Sequence, residues 1–429
     1  MKSFKVTLAV AASALLLAAP AMAFHDGGVA KCEGCHTMHN SLEGTTMPGV
    51  GGGTVFNAPG YLLQGGGTQT DACLVCHGKG GTLSGYHVST DTVIAGQTTV
   101  VPAPAQLTPG GDFSWLKVAT FGATSQALAS RRGHNVIGST NGYTADNKFA
   151  TLSPGGTYPA ASFHCSSCHD PHGRYRYVDE TANAVLTGAP IDGSGSYGGT
   201  DYVAGTATVA TGVYRILGGA GYKPKSIAGP AFGASTQPPV ALAPKSYNRT
   251  EAATDTRVAY GSGMSEWCAN CHGELLENAY VSGEAGHTHP AGNTALLGTT
   301  IAANYNSYVS SGITTGTVGV PGYSSLVPFE EGTGVAKSVL AGHAVNDNSQ
   351  DGGPTASANV SCLSCHRAHA GAFKSMLRYD PASLMTTDAA TYSTFADVDA
   401  ATVQAYYGRT ANSFGDYQRA LCNKCHAKD

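Results

Sequence analysis

The chain has 429 residues, 57 of them Gly, with 42% hydrophobic and 12% charged residues. That hydrophobic share excludes a disordered chain but is thin for this length, and Gly is about twice its usual frequency, so turn and coil should dominate and something besides side chains should fill the core. A formal net charge of −4 excludes a nucleic-acid binder driven by basic patches.

Residues 1–23 read as a secretory signal. Lys2 and Lys5 form its basic start, Val6 to Ala19 an apolar run, Pro20 a break, and Ala21-Met22-Ala23 a small-residue cleavage site. The apolar run is short for an uncleaved anchor. Cleavage leaves Phe24 to Asp429, 406 residues with 22 basic and 28 acidic side chains. No later stretch offers 18 uninterrupted apolar residues, so no transmembrane segment is expected in the mature chain. No Cys stands at the cleavage point, which argues against a lipid anchor. The expected destination is exported: periplasm, outer surface or medium.

An exported chain with 12 Cys first suggests disulfides. The spacing rejects them. Every Cys lies in a Cys-x-x-Cys-His motif: Cys32, Cys35 and His36; Cys73, Cys76 and His77; Cys165, Cys168 and His169; Cys268, Cys271 and His272; Cys362, Cys365 and His366; Cys422, Cys425 and His426. This is the signature of covalent haem c attachment. Two thiols three residues apart reach the two vinyl groups on one haem edge, and the adjacent imidazole ligates the iron. A redox dithiol needs no fixed His, and a zinc site needs a second pair or two His separated by three to five residues. Six haems over 406 residues leave about 68 residues each, so the macrocycles supply the missing core.

Ten His remain after the six proximal ones: His25, His39, His87, His134, His164, His172, His287, His289, His343 and His369. Only five Met lie outside the signal, fewer than six irons need, so bis-His ligation throughout is the economical reading. His39, His172 and His369 each stand three residues after a proximal His, on nearly the same side of a helical turn. None can return to its own haem, but each can ligate a neighbour. His134 follows Gly133 and His343 follows Gly342, so a bend can present either. His87 lies in a turn-rich segment. Of His287 and His289 the second is favoured, because Pro290 stiffens its backbone. His164 adjoins Cys165 and suits a surface or supporting role, and His25 lies near the new terminus. Seven candidates compete for six places.

In chain order, helices are predicted over Gly122–Arg132, from Ser265 to about Glu277, over Asp397–Tyr407 and over Phe414–Lys428. Met47–Thr54, Val101–Phe113, Gly188–Gly205, Gly229–Pro244 and Gly312–Gly322 read as coil. The motifs run from Cys32 to Cys425 without a boundary, so residues 24–429 form one expected domain. First cysteines are 41, 92, 103, 94 and 60 residues apart, too irregular for a solenoid. The predicted fold is mostly coil and turns with a few short helices and little sheet, wrapped around a chain of six haems. Gly332 to Ser338 resembles a phosphate loop only weakly, lacking its Gly-Lys pair.

The stretches Cys32–Asn40, His164–His172, Arg257–His272 and Tyr417–Asp429 carry a closer likeness. Through them nearly the whole chain resembles the OmcS/OmcT-like hexahaem outer-surface c-type cytochromes of metal-reducing bacteria. That resemblance implies a head-to-tail homopolymer, a cytochrome nanowire with a continuous chain of bis-His haems. It implies that His39 ligates the haem on Cys362, Cys365 and His366 of the adjacent subunit. It also implies other multihaem cytochromes as donors and ferric oxides, electrodes or partner cells as acceptors. An open interface that does not close into a ring makes a filament physically natural. Two alternatives stay open: a monomeric periplasmic electron shuttle, and a multihaem reductase, which would need an iron with a free position. Six motifs ending in His and a surplus of distal His weigh against the reductase, so an electron-transfer protein rather than an enzyme is expected.

Overall fold

Short helical turns carry the Cys-x-x-Cys-His motifs, because a single turn is enough to put two cysteines three residues apart on one side. The computed structural model describes residues 35–36, 41–42, 45–46, 68–78, 87–90, 92–93, 100–101, 110–118, 132–178, 184–186, 211–223, 229–234, 236–242, 258–276, 289–307, 327–344, 353–380 and 420–426. The expectations for His25, Cys32, His39, His287, Asp397–Tyr407 and most of Gly122–Arg132 fall outside them, as do several of the coil segments.

Helix α1, Gln69–His77, carries the second motif; the Thr68 side chain caps it by accepting from Asp71 N at 3.1 Å. Helix α2, Met264–Leu276, carries the fourth, and its backbone kinks at His272 (φ −125°, ψ 41°). This agrees with the helix predicted from Ser265. Helices α3, Gly298–Ser307, and α4, Lys337–His343, were not legible. The first is rich in Thr and Asn, and the second begins without a side-chain cap. Helix α5, Cys362–Cys365, carries the fifth motif. Helix α6, Leu421–His426, carries the sixth inside the predicted Phe414–Lys428 segment. The third motif sits on a 3-10 turn, Cys165–Ser167.

Sheet is sparse, as the composition predicts. Strands β1 (Ser41–Leu42) with β2 (Thr45–Thr46) and β3 (Thr92–Val93) with β4 (Val100–Val101) form two small antiparallel ribbons. Strand β5 (Tyr175–Tyr177) lies between β6 (Ala184–Leu186) and β7 (Thr211–Gly212). Among the described residues the largest sheet runs β11-β10-β9-β8, formed by Asn359–Val360, Phe329–Glu330, Ala259–Ser262 and Val240–Leu242. Strand β8 interrupts the Gly229–Pro244 segment read as coil.

The core is divided into small clusters, two of which end on motif cysteines. Tyr158, Tyr175, Tyr177, Tyr222 and Phe232 pack with Trp267 and Cys271. Tyr214, Tyr260, Met264 and Leu363 pack with Cys168 and Cys268. Aromatic edges meet faces within the first cluster, as at Phe232 and Trp267, whose ring centroids are 5.8 Å apart at 82°. Among the described residues no helix is long and apolar enough to cross a membrane.

One acid is buried at the joint between motifs four and five. Glu330 is fully buried and caps α2 by accepting from Met264 N at 2.7 Å. Burial, with Glu266 nearby, raises its carboxyl to about 8. The unfolded chain therefore releases this proton near pH 4.5 and the folded chain near pH 8, so wild-type stability should fall as pH rises across that window. Glu330→Gln keeps an acceptor for Met264 without the charge. Thermal unfolding should show a gain of several degrees at pH 8 that shrinks to nothing near pH 4.5. A difference independent of pH would assign the effect to packing.

Candidate metal centres

Eight of the described histidines come together in four facing pairs. His36 and His172 have centroids 6.5 Å apart with rings inclined 4°. His169 and His369 are 6.3 Å apart at 60°, His272 and His134 6.0 Å at 38°, and His426 and His289 5.9 Å at 78°. Two imidazoles binding one metal ion from opposite sides, each at about 2 Å through a ring nitrogen, hold their centroids roughly 6 Å apart. All four pairs join a motif His to a predicted distal candidate. The varied ring angles fit ligation of a central ion, where spacing is fixed but rotation about the axis is free.

The outward nitrogens of several rings are occupied. His169 Nδ1 lies 2.8 Å from the Arg215 carbonyl, His272 Nδ1 2.7 Å from that of Pro154, and His366 Nδ1 2.8 Å from that of Ser375. His134 Nδ1 lies 2.7 Å from the Ala368 carbonyl and His289 Nδ1 2.8 Å from that of Pro290. A carbonyl can only accept, so each ring carries its proton on Nδ1 and leaves Nε2 for a metal. Burial, with a smaller contribution from His272, lowers His134 to about 4; burial, with His169 beside it, lowers His369 to about 3. Both are therefore neutral at pH 7, the form a ligand needs.

His172 and His369 each turn away from their own motif, toward His36 and His169. Asp170 holds the first turn by accepting from His172 N at 3.1 Å and Arg174 N at 3.0 Å. Around His369 three backbone segments meet. His369 N donates to Gly110 O at 2.6 Å, His134 N to His369 O at 2.9 Å, Asp112 N to Ala370 O at 3.1 Å and Gly371 N to Arg132 O at 2.8 Å. A Cβ on Gly133 would overlap the His369 carbonyl and the Ala370 methyl. The chain bends at Arg132, as expected beside Gly133, and Gly133 also admits the close backbone approach beside His134.

His87 is 4% exposed and adjoins the second motif, where Val88 N donates to His77 O at 2.8 Å. His343 stands apart: its side chain is 46% exposed and its Nδ1 lies 2.6 Å from a Glu331 carboxylate oxygen. None of the ring contacts among the described residues involves His366. His164 is buried, with Nδ1 3.0 Å from the Ile137 carbonyl, so the surface role considered for it does not hold. The carbonyl partners of the imidazoles carried no sequence signal, since any residue supplies one.

The cysteines of different motifs are also neighbours. Cys73 lies beside Cys165, and Cys268 beside Cys362, so motifs two and three adjoin, as do motifs four and five. Among the described residues no three His, Cys, Asp or Glu side chains converge as a bare-ion site would require. Paired imidazoles beside the two cysteines of one motif fit a haem held by two thioethers and two axial nitrogens.

No protein-family model matches the chain. It is 50% identical, across all of both chains, to the c-type cytochrome OmcS of Geobacter sulfurreducens. Two solved structures are similar to it, each covering 95% of this chain and 100% of its own at 49% identity. One is a cryo-EM structure of OmcS nanowires from Geobacter sulfurreducens, with a TM-score of 0.77. The other is an outer membrane cytochrome S filament from the same organism, with a TM-score of 0.76.

Proposed function

Because the chain belongs to the OmcS family of c-type cytochromes, we propose that it is the subunit of an extracellular filament that conducts electrons through stacked haems. A c-type cytochrome holds haem c covalently, and the bound haem supplies one-electron redox chemistry. The protein's part is to attach it, ligate it, exclude water and fix the spacing. In this reading the six cysteine pairs named above attach six haems, numbered by motif, and residues 24–429 act as one unit after export behind the 1–23 leader.

His36, His77, His169, His272, His366 and His426 are the proximal ligands. The distal ones are His172 at haem one, His87 at haem two, His369 at haem three, His134 at haem four and His289 at haem six. Haem five takes His39 of the adjacent subunit, and His343 is the surplus candidate. The observation that carries this reading is the set of four facing pairs at 5.9–6.5 Å together with a fifth-motif His that no described ring faces. It gives the extended motifs one shared role. The third motif's His172 reaches back to haem one, the fifth motif's His369 reaches back to haem three, and the first motif's His39 continues the series into the next subunit's haem five. Other multihaem cytochromes would donate electrons, and ferric oxides, electrodes or partner cells would accept them at the outer surface.

Electron microscopy of the purified, haem-loaded protein should show filaments, and its haem content should be six per chain with a wholly low-spin spectrum. Isolated monomers at all concentrations would favour the shuttle; a high-spin ferric haem would revive the reductase.

A further inference from the structure

Four non-glycine residues among those described adopt positive φ, and they come in two adjacent pairs. These are Arg215 (48°) with Ile216 (52°), and Ser375 (58°) with Met376 (55°). A β-branched Ile in this region is a steric outlier, and such conformations persist only where the surroundings impose them. Neither pair lies in a haem motif, and the segments share little sequence: Tyr214-Arg215-Ile216-Leu217 against Lys374-Ser375-Met376-Leu377.

Their bonding is nevertheless the same. At motif three, Arg215 O faces His169 Nδ1 at 2.8 Å, Ile216 O accepts from Asp170 N at 2.8 Å, and Gly218 N donates to Cys168 O at 2.9 Å. At motif five, Ser375 O faces His366 Nδ1 at 2.8 Å, Met376 O accepts from Arg367 N at 2.8 Å, and Arg378 N donates to Cys365 O at 2.8 Å. One segment arrives 46 residues after its His and the other 9 residues after. Two routes through the chain thus end in one strained geometry.

The geometry has a physical reason. Two successive residues in a helical conformation point both carbonyls the same way, whereas an extended strand alternates them. Only the first arrangement lets one segment accept the proximal ring N–H and the next backbone N–H together. Motif four meets the first demand with Pro154, whose carbonyl faces His272 Nδ1, while the neighbouring Gly155 takes φ 63° without a side chain to strain.

We infer that Arg215–Ile216 and Ser375–Met376 are positioning elements that fix the ring plane of the proximal imidazoles at haems three and five and hold their Nδ1 protons, thereby setting the potentials of those two haems. The inference rests on the ligand reading above. A carbonyl that draws on Nδ1–H makes the imidazole a stronger donor to ferric iron. Loss of that bond should therefore raise the potential.

The test places proline, which cannot adopt positive φ, at each elbow separately: Ile216→Pro and Met376→Pro, with Ile216→Gly and Met376→Gly as partners that keep the left-handed backbone. The yield of haem-loaded protein selects the proline variant to be titrated. Spectroelectrochemical titration should show one haem's share of the absorbance change moving to higher potential, and electron paramagnetic resonance should show one low-spin signal displaced as its ring turns. The glycine variants should match the wild type in both. A proline variant that titrates and resonates like the wild type overturns the inference, as does a glycine variant that shifts as far as proline. The ligand reading is judged separately, on the wild-type protein, by six low-spin haems.

Discussion

His39→Ala is expected to yield particles no longer than single subunits in electron micrographs, while each chain should keep all its covalent haem. The substituted side chain supplies no thioether, so attachment at all six motifs is untouched. On the proposed ligand set, what would be lost is the second ligand of haem five, and with it the bond across the subunit boundary. Every 1.4 kcal/mol removed from an interface weakens it about tenfold. An open head-to-tail polymer answers such a loss by shortening. His366 should keep its Ser375 partner, at 2.8 Å in the wild type, so the proximal side should stay ordered while the iron that lost its ligand turns high-spin. Added imidazole should restore the low-spin spectrum without restoring filaments. That separates ligation from assembly, because free imidazole fills the position but joins nothing. Filaments of unchanged length and stability would sink the role assigned to His39.

The sequence announces attachment and leaves the partners hidden, and the reason lies in range. Cys165, Cys168 and His169 act within one turn, so spacing alone reveals them. His172 and His369 betray by their offset that they leave their own haem, but their targets depend on topology. His172 meets His36 and His369 meets His169, across more than a hundred residues in each case. His134 was legible as a candidate through Gly133, beside the bend at Arg132, but the sequence did not show that the glycine also admits the His369–Ala370 backbone. His343, equally plausible beside Gly342, ends at the end of α4 against Glu331. Nothing local distinguishes the two glycines. The acceptors on Pro154, Arg215, Ala368 and Ser375 are backbone atoms and cannot be read from residue identity. Helix α3 was missed for a related reason: its contact with Cys425, through Asn304 Nδ2 at 3.1 Å, is tertiary.

The second large effect is expected at His369, where ligation and packing coincide. Its ring stacks on Phe113 at 4.8 Å and faces His169 at 6.3 Å, and its backbone ties the Gly110 and His134 segments together. His369→Ala leaves those backbone bonds in place and removes the ring. One haem in six should turn high-spin and bind added cyanide or imidazole, and conductance along the filament should drop, because the third motif adjoins the second through Cys73 and Cys165 and the first through His172. His369→Met offers a softer test. A thioether in place of the second imidazole keeps the iron low-spin but raises its potential, since axial ligands span roughly 0.8 V across haem proteins. A single raised site in a chain is a trap: each ~59 mV above its neighbours makes the onward step about tenfold less favourable. Redox titration should therefore show one haem displaced upward, and conductance should fall even though every haem remains six-coordinate. A His369→Ala spectrum that stays wholly low-spin would reassign the distal ligand of haem three. Unchanged conductance in a His369→Met filament whose haem had shifted would mean that electrons bypass that haem.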